Sequence, residues 1–224
     1  MKIILLHGDH TSQSLLRLQA FIDSAVKRKF EIVRIERSSP KDFESILANT
    51  SLFESEKLYL IKDTSILNKE SIQVINRLHK FTPGVLVIHT GSSASSIAKQ
   101  LPSGTKVEEY KLPKIIFTFL ESLFPGNSNS SLKLLHQLLP HESPEFIVAM
   151  IAQHFRDLYF TKTRPSQLNY PSWRKDKLTK QADKYTNIKL NEFISSLSEI
   201  DLKSKTTNLD LSSSLDLLII SHLQ

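Results

Sequence analysis

Cysteine is absent from all 224 residues. That excludes disulfides, thiol nucleophiles and cysteine-ligated zinc. Glycine is scarce as well: the chain holds five, where average usage gives about fifteen. The glycines do not assemble a phosphate loop, which needs Gly, four residues, then Gly-Lys-Ser/Thr. Counting from Gly8, the matching positions are Gln13, Ser14 and Leu15, so the second glycine, the lysine and the magnesium-binding hydroxyl are all missing. A dinucleotide-binding Gly-x-Gly-x-x-Gly and a Gly-x-Ser-x-Gly nucleophile elbow are missing too. No apolar run approaches the ~20 residues that span a bilayer. The opening Met1-Lys2-Ile3-Ile4-Leu5-Leu6-His7-Gly8 is too short in its apolar part for a signal peptide and has no small-residue cleavage site. It reads as a first strand of a cytoplasmic protein without membrane contact.

What is present is a globular composition, 40% apolar and 23% charged, enough for a real core. The first half alternates. Strands are predicted over 2–7, 30–36, 57–62, 84–90 and 105–110, and helices over 11–27, 40–48, 69–81 and 95–101. Leu15, Leu16, Leu18, Phe21, Ile22 and Val26 supply an apolar stripe for the first helix. Ser39-Pro40 opens the second with a capping residue and a first-turn proline. This order predicts a parallel, doubly wound α/β sheet. After Lys111-Leu112-Pro113 the strand signals stop. Helices are predicted over 113–124, 128–139, 143–161, 172–185, 190–205 and 210–223, an all-α module. The expected division is an α/β domain over 1–112 and a helical domain over 113–224.

Two features stand out from this scaffold. Leu52 and Phe53 lie in Asn49-Thr50-Ser51-Leu52-Phe53-Glu54, a helix-to-strand connection that is otherwise polar. Such a pair either plugs the core or awaits a partner's pocket. The second feature is charge. The net charge is +6. Between Arg156 and Lys189 there are nine Lys/Arg and three Asp/Glu, so this one segment carries the whole imbalance. Within it, Lys177, Lys180 and Lys184 fall at i, i+3, i+7 beside Trp173, Arg174 and Lys175, with Leu178 and Ala182 on another face. A stripe of this kind can track phosphates while the indole stacks on a base; a solvated helix face is the plainer reading.

Catalytic candidates are fewer. His7, Asp9 and His10 flank Gly8, but no third metal ligand stands at useful spacing. Asp63 follows a strand where a magnesium-holding carboxylate can sit, although turn and cap roles are commoner there. The Ser-rich run Gly91 to Ser96 suits a helix cap better than a phosphate. No cofactor or metal is expected, and the enzyme reading is the weaker one.

Taken in order, these motifs resemble the delta subunit of bacterial DNA polymerase III, the clamp-opening subunit of the clamp loader. The segments are Leu5-Leu6-His7-Gly8-Asp9, then Ser51-Leu52-Phe53 before the third strand, then Ile151-Ala152-Gln153-His154-Phe155-Arg156-Asp157-Leu158. Glu199-Ile200-Asp201-Leu202-Lys203-Ser204 and the final apolar helix complete the set. The resemblance implies an AAA+-like N-terminal domain that does not hydrolyse ATP and a collar-type C-terminal bundle that joins the other loader subunits. It implies that Ser51, Leu52 and Phe53 bind the sliding clamp (the beta subunit), with the Leu-Phe pair as a wedge in a hydrophobic pocket. It makes the chain a component of a DNA-directed DNA polymerase acting on primed DNA. The family's small helical lid has no counterpart, because Tyr110-Lys111-Leu112 runs almost directly into collar-like helices. The competing readings are a nucleic-acid-binding adaptor and a nucleotide-processing enzyme on a related sheet.

Overall fold

Residues 1–36, 40–48 and 56–224 are described by the computed structural model, with the side chains of Pro40 and Lys41 excepted. Ser39, Ser51, Leu52 and Phe53 therefore lie outside the described residues. The chain divides into two units, Met1–Leu112 and Pro113–Gln224.

The first unit is a five-stranded parallel sheet in the order β2-β3-β4-β1-β5. Its strands are β1 (Lys2–His7), β2 (Glu31–Ile35), β3 (Lys57–Ile61), β4 (Val85–Thr90) and β5 (Lys106–Glu109). The linking helices are α1 (Thr11–Lys27), α2 (Pro40–Ala48), α3 (Lys69–Leu78) and the short α4 (Ser95–Ala98). The chain leaves β1 for the far edge at β2, then steps back through β3 and β4 and over β1 to β5. Right-handed crossovers taken in opposite directions put their helices on opposite faces. Accordingly Leu18 and Ala25 of α1 pack with Ile4, Leu6, Leu58, Leu60 and Val87 on one face. Phe43 and Leu47 of α2 and Ile72, Val74 and Ile75 of α3 pack with Ile3, Leu5, Tyr59, Leu86 and Ile88 on the other. Covered on both sides, β1, β3 and β4 are near-continuous apolar runs.

Two sequence expectations need correction. The α1 stripe is only half as expected: Leu18 is buried and Phe21 and Ile22 pack against the same core, but Leu15, Leu16 and Val26 are exposed and Ser14 and Ala25 are buried instead. Positions 14, 18, 21, 22 and 25 share one helical face. The third helix stops at Leu78, three residues before the expected Phe81. Pro83 disfavours helical backbone before it, and the N–H groups of Phe81 and Thr82 both turn back to the Leu78 carbonyl, at 2.9 and 3.0 Å.

The second unit holds α5 (Lys114–Ser122), α6 (Ser128–Leu138), α7 (Pro144–Thr163), α8 (Ser172–Ala182), α9 (Asn187–Thr206) and α10 (Leu211–Leu223), with no strand among the described residues. Starts are marked by caps: Ser143 accepts from Phe146 N, Thr186 from Lys189 N, and Asp210 from Ser212 and Ser213 N. The long helix α7 is the centre of the bundle. Its Phe155 stacks on Phe193 of α9 at 3.6 Å between centroids and meets Tyr185 edge-on at 5.7 Å. No helix among the described residues is long and apolar enough to cross a membrane.

Candidate functional site

Open α/β sheets bind ligands where the loops part above the carboxyl ends of the strands. Here that point lies above β1 and β4, whose following helices go to opposite faces. A phosphate cradle requires several backbone N–H groups left unclaimed and aimed at one spot. In this chain those groups serve the protein itself. Gly8 N donates to Ser92 O at 3.2 Å, His10 N to Tyr110 O at 3.0 Å and Thr11 N to Asp9 O at 3.0 Å. Leu112 N donates to the Asp9 carboxylate at 2.8 Å. Gly8 has a φ of +129°, and a Cβ there would stand 2.0 Å from the Tyr110 carbonyl oxygen. The glycine is thus explained by close approach of the 110 segment.

The nearby histidines do not converge. His7 and His89 occupy adjacent strands offset by one residue in register, so they face opposite sides of the sheet. His7 Nδ1 accepts from Ala94 N at 3.4 Å, and His10 Nδ1 lies 3.1 Å from Ser12 Oγ. Ser14 Oγ donates to Thr11 O at 3.0 Å, which leaves it to accept from His89 Nε2, also at 3.0 Å. Burial, reinforced by the Lys62 cation, holds the His89 pKa below its ordinary value. Asp63 caps a turn over Thr64–Ile66, accepting from Ser65 N at 2.9 Å. Among the described residues no cluster of His, Asp or Glu could hold a metal.

The basic helix α8 is better formed as a surface. Leu178, Gln181 and Ala182 face the bundle. Trp173 is 62% exposed. Trp173, Lys177 and Lys180 follow one another at spacings of four and three, a single ridge, and Lys184 stands in the turn two residues beyond the end of α8. The lysines are not equivalent. Lys177 reaches Glu121 at 2.7 Å and Lys184 lies 3.3 Å from the Phe124 ring centroid. Lys175 and Lys180 make no ion pair among the described residues. Arg174 turns inward: its guanidinium lies 3.7 Å from the Tyr170 centroid and 3.4 Å from the buried Asp157 carboxylate. Tyr170 OH donates to the same carboxylate at 2.7 Å.

Sequence reasoning missed what holds α8 in place. Gln181 Nε2 donates to Leu120 O and Leu123 O, at 2.8 and 2.7 Å. Tyr185 OH donates to Leu123 O at 3.0 Å. These donors add to the 3.3 Å bond from Leu123 N to Leu120 O at the end of α5 and satisfy the Leu123 carbonyl beyond it. With its amide so committed, Gln181 Oε1 accepts from His154 Nε2 at 3.0 Å. Burial lowers the His154 pKa to about 4, although the Gln181 hydrogen bond works in the opposite direction. A polar residue at position 181, one step before buried Ala182, was the available signal.

Residues 113–222 match the family described as DNA polymerase III delta subunit, C-terminal domain. No curated protein sequence matches the chain. Among solved structures, the chain is similar to the DNA clamp loader delta protein of Bacillus subtilis. The identity is 14% and the TM-score 0.45, over 99% of this chain and 95% of that one. It is also similar to a DNA polymerase III gamma subunit-related protein of Thermotoga maritima, at 13% identity and a TM-score of 0.34, over 99% and 93%. A Drosophila ORC structure bound to AT-rich DNA and Cdc6 aligns at 12% identity and a TM-score of 0.34, over 82% and 75%.

Proposed function

The chain belongs, through its C-terminal unit, to the family of DNA polymerase III delta subunits, and on that premise we propose that it binds and opens a sliding clamp as a delta-type subunit of a clamp loader. The observation that carries this reading is the family match over residues 113–222. The switch point supports a role without ATP hydrolysis, since the N–H groups of Gly8, His10 and Thr11 are spent on protein carbonyls. On this reading the helical unit joins the other loader subunits, and the work proceeds in the cytoplasm at primed DNA. No bond is made or broken by the chain. Opening a ring requires only that the subunit bind the open form better than the closed one.

Ser51, Leu52 and Phe53 are the proposed clamp contact, with the Leu-Phe pair as its anchor. Burying two such side chains in a pocket contributes on the order of 1.5–3 kcal/mol each, and a few central apolar anchors dominate interfaces of this kind. Exposed Trp173 and the cations of α8 are the proposed DNA contact. The test is capture of the cognate clamp by the full chain. Leu52→Ala with Phe53→Ala is expected to lower affinity at least a hundredfold, the equivalent of about 2.7 kcal/mol. Full binding by that double variant would remove the wedge from this reading.

A further inference from the structure

Phe81 is 80% exposed, the most exposed of the large apolar side chains among the described residues. Isolated exposed apolar residues are ordinary, and what distinguishes this one is its mounting. Lys80 to Gly84 link α3 to β4 along the edge of the sheet where strands begin. Thr82 is buried, and its Oγ1 donates to Leu47 O at 3.0 Å, in the last turn of α2. Gly84, with a φ of +97°, lies so close to the start of β3 that a Cβ would stand 2.2 Å from Lys57 O. Lys2 N donates to Gly84 O at 3.0 Å. The short loop is therefore bonded to the next-to-last residue of α2 and packs closely against the first residue of β3. Leu47 and Lys57 each lie one residue inside the described ends of the connection that carries Leu52 and Phe53 in sequence.

We propose that Phe81 is a second apolar contact to the clamp, presented at the end of the α/β unit where Leu47 and Lys57 flank the connection that carries Leu52 and Phe53 in sequence. This rests on the clamp-binding reading above. The rigidity of the loop is what makes an anchor of Phe81. Two N–H groups turn back to Leu78 O, Pro83 fixes one φ, and Thr82 and Gly84 pin the ends. A side chain carried on backbone already held in place loses less freedom on binding than one on a backbone that must first be ordered. Phe81 is also a poor candidate for a folding role, because so little of it is covered.

The experiment compares three full-length proteins in equilibrium binding to the cognate clamp: wild type, Phe81→Ala, and Leu52→Ala with Phe53→Ala. Phe81→Ala is expected to weaken binding about tenfold, a modest anchor's share, with an unchanged melting temperature. If the double variant loses binding while Phe81→Ala binds like wild type, the Phe81 contact is wrong and the clamp reading stands. If neither variant changes affinity, the clamp reading falls and the Phe81 contact with it. Thr82→Val, which removes the bond to Leu47 O but leaves the phenyl ring, is expected to weaken binding by less than Phe81→Ala. Equal or greater loss would mean that the loop matters through its fold and not through the ring.

Discussion

At Gln181 one amide joins three helices: its N–H groups close the end of α5, its carbonyl receives His154 of α7, and it stands on α8 itself. The orientation of the amide decides the tautomer of the imidazole, with the proton on Nε2. Charging that ring means placing a second proton on a buried group, which is why the pKa sits at about 4. The sign follows directly. A histidine whose folded pKa is depressed contributes stability that is complete above about 6.5 and is lost as pH falls toward the folded value. At about 1.4 kcal/mol per pH unit, this one group removes at most about 3.5 kcal/mol between pH 6.5 and 4. His89 and His222, both also held low by burial, act in the same direction. His154→Gln keeps a donor for Gln181 and has nothing to titrate. Urea unfolding across pH 4 to 7 is expected to give a flatter stability profile for that variant than for wild type. Parallel profiles would show that the ring titrates normally in the folded state.

The elements show what a sequence can and cannot disclose. The buried strands β1, β3 and β4 were legible because each is a short apolar run between turn residues. The helix caps at Ser143 and Asp210 stand at the expected helix starts, and Thr186 stands four residues before the expected start at Leu190. The inward face of α1 was legible only in part. Leu18, Phe21 and Ile22 face the core as the stripe required, but Ser14 and Ala25 complete that face while Leu15, Leu16 and Val26 point outward, which apolarity alone does not disclose. The end of α3 was misread because the carbonyl of Leu78 accepts two turn N–H groups where a further helical turn looked equally apolar. Gly8 was read for the phosphate it lacks the partners to bind, whereas its reason is the Tyr110 carbonyl. This gives an element-scale prediction. Gly8→Ala places a methyl group into that carbonyl at a backbone angle L-residues avoid, so β1, the α1 start and the segment after β5 must all shift. The cost is expected to be at least about 2 kcal/mol. A urea midpoint within error of wild type would mean that the 110 segment yields freely.

For the whole molecule the decisive asymmetry is charge: 20 residues of each sign balance outside 156–189, and nine against three stand within it. The structure divides that excess into working and committed cations. Arg156 and Arg174 are drawn to the buried Asp157, and Lys162 donates to the carbonyls of Ala182 and Tyr185. What remains outward is the ridge of Trp173 with Lys177 and Lys180 and, beyond its end against Phe124, Lys184. Composition revealed the surplus but not this division, because the Asp157 that draws in Arg174 of α8 stands on the preceding helix, α7. If the ridge binds DNA, its two kinds of side chain must leave different signatures. Cations act by releasing condensed counterions, so charge reversal at Lys177, Lys180 and Lys184 is expected to weaken binding and to flatten the slope of log K against log salt by up to about three. Lys180, which makes no ion pair among the described residues, is expected to contribute most. An indole stacked on a base releases no ions. Trp173→Ala is therefore expected to lower single-strand affinity by about 1–3 kcal/mol while leaving the salt slope as it was. Titrations at several salt concentrations separate the two effects, and affinity unchanged in the triple variant would return the ridge to the status of a solvated helix face.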